Sequence, residues 1–366
     1  VKIPGLLALE SDQFAVVDLP FDETHLISGS QGSGKTVAAV YRAWIQATAG
    51  NSTSLITHSN ILTQYIEHFA GDLAQNFRVT TFHRWLREFW KTHFQEEPPA
   101  DGEERWTYDW TKMQLDCFRR MPNSAECLVI DEGQNLPPQF YELCNIIKIP
   151  VTVFTDPTAS VGDGQTHPAD IDKKIRPRTT SSLQKNHRNS REIAMLAELF
   201  SVGVKSELPE HPERSGDTPH LMHCSSGHPF IPQLSRYISS HPECTIGIIC
   251  RTTELQREIH LQLSRSGLHS SIQSYVSDDM NRTVVDFSTN RIFVINAASM
   301  KGLEFDIVFV PDMDSYTEDP TSASARERLQ TLCMRARNEL HFVYHGHREP
   351  EILADVSTSL LGRRTI

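Results

Sequence analysis

The residues Gly29-Ser30-Gln31-Gly32-Ser33-Gly34-Lys35-Thr36 match GxxxxGK[ST] at every fixed position. Glycines at this spacing let a loop turn so tightly that successive backbone N–H groups converge on phosphate oxygens. Lys35 offers a cation to the outer phosphates of a nucleoside triphosphate, and Thr36 a hydroxyl to Mg²⁺. A helix that starts here aims its positive end at the same anion. A chance Gly/Ser-rich turn is the competing reading, and the flanks weigh against it. An apolar run at 24–28 leads in, and a helical pattern at 37–47 leads out.

The second chemical signal is Cys127-Leu128-Val129-Ile130-Asp131-Glu132, an apolar strand that ends in two carboxylates. Asp131 can hold Mg²⁺ through water, and Glu132 can act as general base on an attacking water. An acidic pair after a strand is usually just a solvated strand end. Here it follows a phosphate loop within one alternating strand and helix pattern.

That pattern predicts the elements that position these groups. Strands are expected at 24–28, 54–57, 127–130 and 151–154, with helices at 37–47 and 61–69. Residues 84–126 read as a small insertion with an acidic, Pro-containing loop at 95–104. A polar stretch at 161–182 lacks apolar periodicity and is read as the boundary region. The second half predicts helices at 190–200, 255–266 and 323–337 and strands at 245–250, 291–296, 307–311 and 340–344. The expectation is an α/β chain of two domains, 1–178 and 179–366, each a mostly parallel sheet covered by helices.

Composition fits this frame. The chain has 366 residues, 39% of them hydrophobic and 22% charged, enough to build packed cores. A net charge of -11 argues against a protein that coats nucleic acid by charge alone. Seven cysteines without a CxxC pair point away from a disulfide framework or zinc ribbon and toward a cytoplasmic setting. No apolar run is long enough to span a bilayer. The start reads as too short and too weakly basic for a secretory signal.

From Asp131-Glu132-Gly133-Gln134 onward the chain resembles UvrD/Rep-like superfamily 1 helicases along nearly its whole length. The acidic motif resembles DExQ. Gln13 resembles the glutamine by which that family reads adenine, and an amide can both donate to and accept from that base. Leu55-Ile56-Thr57-His58-Ser59-Asn60 and Thr81-Phe82-His83 resemble motifs Ia and Ib. Leu183-Gln184-Lys185-Asn186-His187-Arg188-Asn189 resembles LxxNYRS, and Lys301-Gly302-Leu303-Glu304-Phe305 matches KGLEF. Met334-Arg335-Ala336-Arg337 resembles TRAR.

The resemblance implies two RecA-like domains with ATP and Mg²⁺ held at their seam. It assigns nucleotide contacts to Gln13, Gly29, Gly32, Ser33, Gly34, Lys35, Thr36 and Glu304. It gives Mg²⁺ to Thr36 and Asp131, and catalysis to Lys35, Glu132, Arg188 and Arg335. Guanidinium groups suit the charge that spreads over a transferring phosphoryl group. Thr57, Asn60, His83 and Arg84 are the implied nucleic-acid contacts. Trp85, Phe89 and Trp90 follow on one helix and read as core rather than base platforms.

The departures from the family fall mostly on residues that contact nucleic acid or relay its presence. Asp156 of motif III is kept, but its Gln position is Ala159, and 160–163 offer no aromatic or Arg. His58 stands where the family has Phe, and Asn296 and Ala298 replace its Thr and His before KGLEF. His187 and Met334 are further exchanges. The large insertion that many relatives carry before motif V is missing. Two functions follow as expectations. One is an ATP-dependent translocase or helicase on single-stranded or tailed DNA. The other is an ATPase switch that regulates a protein partner, such as a nuclease in a repair or phage-defence complex. His220, His223, Cys224 and His228 have metal-ligating types, but with 17 histidines in the chain they read as an edge strand and loop. The run Lys173-Lys174-Ile175-Arg176-Pro177-Arg178 reads as a solvated linker.

Overall fold

A computed structural model describes residues 3–102, 107–159, 162, 164–202, 210–225, 230–268, 271–275, 285–288, 290–297, 300 and 302–366. The chain divides into two compact units that meet in sequence at Gln184 and Lys185.

The first unit runs α1 (Ser11–Val17), β1 (His25–Gly29), α2 (Lys35–Thr48), β2 (Ser52–Thr57), α3 (Asn60–Ala70), β3 (Arg78–Thr81) and α4 (Phe82–Phe94). It continues α5 (Trp110–Arg120), β4 (Glu126–Ile130), α6 (Pro138–Ile147), β5 (Val151–Thr155), α7 (Pro168–Ile175) and β6 (Thr179–Leu183). Among the described residues the sheet order is β3-β2-β4-β5-β1-β6, and every pairing is parallel. The central strands are short apolar runs because helices bury both their faces. Parallel strands end at the same edge, so Gly29, Thr57, Ile130 and Thr155 all finish on one rim. Ligands of open α/β sheets bind beyond that rim.

The segment 84–126, expected as a small insertion, supplies core side chains. Trp85, Phe89, Trp90 and Phe94 of α4 and Met113 and Cys117 of α5 pack with Phe140 and Leu143 of α6 over β4 and β5. Trp85 and Phe89 stack at 5.1 Å, and Trp90 and Phe94 at 4.1 Å. The indole N–H of Trp85 donates to Glu126 Oε2 at 3.0 Å, which satisfies its one polar atom. These aromatic side chains are core, as the sequence suggested.

The polar stretch read as a boundary holds two elements. Ile171 and Ile175 of α7 face the core, while Lys173 and Asp170 pair at 2.8 Å on the outside. The basic run therefore begins on a helix of the first unit. Thr179–Leu183 pairs with β1, so the unit reaches Gln184 and not residue 178.

The second unit runs α8 (Arg191–Leu199), β7 (His220–His223), α9 (Phe230–Ser240), β8 (Ile246–Cys250), α10 (Thr253–Leu263) and β9 (Ile272–Tyr275). Next come β10 (Ile292–Asn296), β11 (Phe305–Val310), α11 (Ala323–Cys333), β12 (Ala336–Tyr344), α12 (Glu351–Ala354) and β13 (Gly362–Thr365). Its described strands are ordered β13-β7-β12-β11-β8-β10-β9, again parallel throughout. One core cluster gathers Ile246 and Ile248 with Val294, Phe309, Leu234 and Ile259. Two expectations change here. The helix expected over 323–337 stops at Cys333, and Ala336 already belongs to β12. His220–His223 is not an edge strand, because β13 covers it. His228 lies outside the described residues. No described helix is long and apolar enough to cross a membrane.

Candidate nucleotide site

β1 ends at Gly29, where an added Cβ would lie 2.4 Å from Ser33 Oγ and 3.1 Å from the Leu183 carbonyl oxygen. Gly32 and Gly34 have φ of 87° and 84°, the left-handed region that a side chain disfavours. The loop can close only with glycine at these places. Lys35 opens α2 and is 5% exposed. Its ammonium donates back to the carbonyls of Gly29 at 2.6 Å and Ser30 at 3.0 Å, so the cation lies inside the loop. Ser33 Oγ is buried in the same loop and has no hydrogen-bond partner among the described residues. A buried hydroxyl without a partner calls for a ligand, and a phosphate oxygen fits. Gln13 is also at the loop. Its Nε2 donates to the Ser33 carbonyl at 3.4 Å, while its Oε1 accepts from Glu10 N at 3.2 Å in the cap of α1.

The acidic pair comes to this loop from the tip of β4. Asp131 is 1% exposed, and its Oδ2 accepts from Thr36 Oγ1 at 2.7 Å. Its Oδ1 accepts from Glu132 N at 3.1 Å. Burial and the adjacent Glu132 carboxylate push the Asp131 carboxyl above its ordinary range, against the Thr36 hydroxyl and the Lys35 ammonium. A divalent cation would relieve that destabilisation, so a hydroxyl and a buried carboxylate in contact fit Mg²⁺. Glu132 has φ 55° and ψ 47°, a left-handed conformation unusual for a residue with a Cβ. Gln134 holds its carboxylate by donating from Nε2 to Glu132 Oε2 at 2.6 Å. The Gln134 oxygen accepts from Thr155 Oγ1 at 3.1 Å and from Asp156 N at 3.3 Å, at the end of β5. The sequence reading used Gln134 only as a motif letter. Its buried amide ties the candidate base to the neighbouring strand.

In the second unit Arg188 bonds Glu304 through Nε and donates to the Met334 carbonyl at 3.3 Å. Glu304 is 7% exposed. Burial raises its carboxyl, but neighbouring positive charge, Arg188 first, more than offsets this and holds it below its ordinary value. In this structure Glu304 therefore braces arginines. Arg335 is 4% exposed and donates to the carbonyls of Thr331 at 3.2 Å and Leu303 at 3.1 Å. Lys301, Ala298 and Ser299 lie outside the described residues.

The nucleic-acid candidates divide by exposure. The Thr57 hydroxyl is buried and bonds the Ser59 carbonyl at 3.2 Å and Thr63 Oγ1 at 2.8 Å, bracing the start of α3. His83 Nδ1 lies 3.0 Å from the Tyr108 hydroxyl, and burial, then the charges of His58 and Arg87, lower its pKa to about 4. His58 and Asn60 are exposed, and so is Arg84, which pairs with Glu88 at 3.0 Å. Asp156 caps its own turn, accepting from Thr158 N at 2.9 Å and Oγ1 at 2.7 Å. Ser160, Val161 and Asp163 lie outside the described residues. Asn296 donates to Thr253 Oγ1 at 3.3 Å.

Each unit is thus a parallel sheet covered by helices, and together they have the architecture of two RecA-like domains found in helicases. Solved structures share that architecture. The DUF1998 helicase MrfA bound to DNA matches 94% of this chain at 10% identity with a TM-score of 0.52, and the match covers 50% of MrfA. This chain therefore spans about half the length of MrfA. Dbp5 of S. cerevisiae, bound to RNA and ADP BeF3, matches 97% of this chain at 14% identity with a TM-score of 0.52, over 89% of its own length. No protein-family model matches the sequence. No curated protein sequence matches it either.

Proposed function

We propose that the chain is an ATP-dependent nucleic-acid translocase or helicase of the UvrD-like class. The observation that carries the ATPase part is the contact between Thr36 and Asp131 beside a glycine loop with a buried lysine. The loop N–H groups and Ser33 Oγ bind phosphate oxygens, and Lys35 turns from its carbonyls to the outer phosphates. Thr36 and Asp131 would hold Mg²⁺, which supplies neutralising charge at the phosphoryl oxygens. Glu132 takes a proton from the water whose oxygen attacks the γ-phosphorus. The bond from that phosphorus to the β,γ-bridging oxygen breaks, and ADP and phosphate leave. Arg188 and Arg335 neutralise charge that spreads over the phosphoryl oxygens. Gln13 reads the adenine edge.

For the nucleic-acid part we carry over the class of ligand that MrfA and Dbp5 hold in their structures. Asn60 and Arg84 are the exposed candidates to meet it.

The second reading is an ATPase switch that acts on a protein partner. It is favoured by Ala159 at the family's Gln position and by the inward-turned hydroxyl of Thr57. Aromatic stacking contributes roughly 1–3 kcal/mol per base, and the altered motifs offer few platforms. Phosphate release with and without single-stranded DNA or RNA separates the two. A rate that rises with either strand supports the motor. A rate that responds only to a protein partner contradicts the motor and supports the switch.

A further inference from the structure

In the first unit α6 and α7 leave a groove of about 930 Å³ between them. Pro138, Glu142 and Ile146 line it from α6, because residues four apart fall on one face of a helix. Lys173 and Lys174 line it from α7, and Arg176 from just beyond that helix. Much of the basic run that reads as a solvated linker in the sequence thus borders a groove.

Both ends of the groove are fastened. Asn145 Nδ2 donates to the Lys174 carbonyl, which ties α6 to the last turn of α7. At the other end Thr166 N donates to the Gln134 carbonyl at 3.1 Å, and Thr166 Oγ1 to the Leu136 carbonyl at 2.6 Å. Gln134 is also the residue that holds Glu132. The groove is therefore built against the segment that carries the candidate base.

Its charges are unequally committed. Lys174 bonds Glu142, which also accepts from Gln114 Nε2 at 3.0 Å. Lys173 pairs with Asp170 at 2.8 Å, but those side chains are 73% and 50% exposed. Water screens such a pair, and a second carboxylate can share the lysine. Arg176 is exposed and has neither an ion pair nor a side-chain hydrogen bond among the described residues. Three cations thus meet two carboxylates, an excess of positive charge on a chain whose net charge is -11.

This mixture selects the ligand. A nucleic-acid strand carries a phosphate at every nucleotide, and Glu142 and Asp170 would oppose it. A peptide carries charge only where its side chains put it. It can set carboxylates on Lys173 and Arg176 and lay an apolar side chain over Pro138 and Ile146, both of which are only partly buried.

We infer that the groove between α6 and α7 docks an acidic peptide segment of a partner protein. An occupant that draws α7 against α6 acts through Thr166 on Gln134, and so on Glu132. That regulatory step rests on the proposed ATPase reading, whereas the docking does not.

The test selects a random twelve-residue peptide library on the full wild-type chain and measures the selected peptides by fluorescence polarisation. The comparison protein is Lys173→Glu/Arg176→Glu, checked for native circular dichroism. Selected peptides should carry Asp or Glu beside an apolar residue, and the double variant should bind them about 10-fold more weakly or worse, the worth of a charged hydrogen bond. Selection of no acidic peptide, or equal binding by the folded double variant, overturns the inference. So does a single-stranded DNA that loses affinity in the double variant while the peptides do not. Should the double variant unfold, Arg176→Ala decides by the same criterion. Saturating peptide should change the rate of phosphate release by the wild type, and an unchanged rate with peptide bound overturns the regulatory step. If the wild type does not hydrolyse ATP, the proposed function fails separately, and the peptide affinities still decide the docking.

Discussion

Oγ1 of Thr36 donates to Oδ2 of Asp131 at 2.7 Å, although the two residues are 95 positions apart. One lies in the first turn of α2, after β1, and the other at the tip of β4, with β5 between β4 and β1 in the sheet. Parallel pairing brings both ends to one rim, so a hydroxyl and a carboxylate from distant sequence meet where a phosphate loop closes. The nucleotide chemistry proposed for the chain starts from this contact.

Lys35 is the first point at which to probe it. Lys35→Ala removes the cation that faces the outer phosphates and should lower phosphate release by about 10²–10³-fold, the size of loss seen when one preorganised donor is removed. Hydrolysis at the wild-type rate in a folded Lys35→Ala protein would show that turnover occurs elsewhere.

Trp85 separates core from ligand platform. It is 0% exposed, stacks on Phe89 and bonds Glu126. Trp85→Ala should destabilise the chain by about 3–5 kcal/mol, read from urea unfolding. Unchanged stability with weakened single-strand binding would instead make it a base platform.

His83 predicts a pH dependence of stability. Its folded pKa is depressed to about 4 from an ordinary 6.5, chiefly by burial, so the folded protein holds it neutral. The unfolded chain takes up the proton first. The stabilisation linked to His83 is therefore complete above 6.5 and is lost as pH falls from 6.5 toward 4. The urea midpoint of the wild type should drop more steeply across that window than the midpoint of His83→Phe. Equal slopes would remove His83 from the acid response.

The phosphate loop and the acidic pair were legible in the sequence because their chemistry lies in consecutive residues. Asp131 and Glu132 were read from the apolar strand before them together with the phosphate loop upstream. The central strands were legible because burial on both faces makes them short apolar runs. β6 was not, since Thr179-Thr180-Ser181-Ser182 carries hydroxyls and only Leu183 is buried among its five residues. α7 shows two apolar contacts, Ile171 and Ile175, which is too few to define a period. The break between α11 and β12 was hidden because Met334-Arg335-Ala336-Arg337 consists of good helix formers. Tertiary pairing of Ala336 with Phe305 overrides that preference. The slip in pairing between Phe305 and Ile307 depends on the register of two strands, and no local pattern encodes it. Gln134 was visible as a letter of a motif, but its grip on Glu132 and on the end of β5 required coordinates.

The most direct test of the ATPase proposal is single-turnover phosphate release by Glu132→Gln beside the wild type. Gln keeps the size of the side chain and removes its basicity. The proposal predicts that the variant still binds ATP but releases phosphate about 10²–10⁴-fold more slowly, the usual worth of a general base. Release at the wild-type rate from Glu132→Gln, or no release from the wild type with Mg²⁺ and ATP, would contradict it.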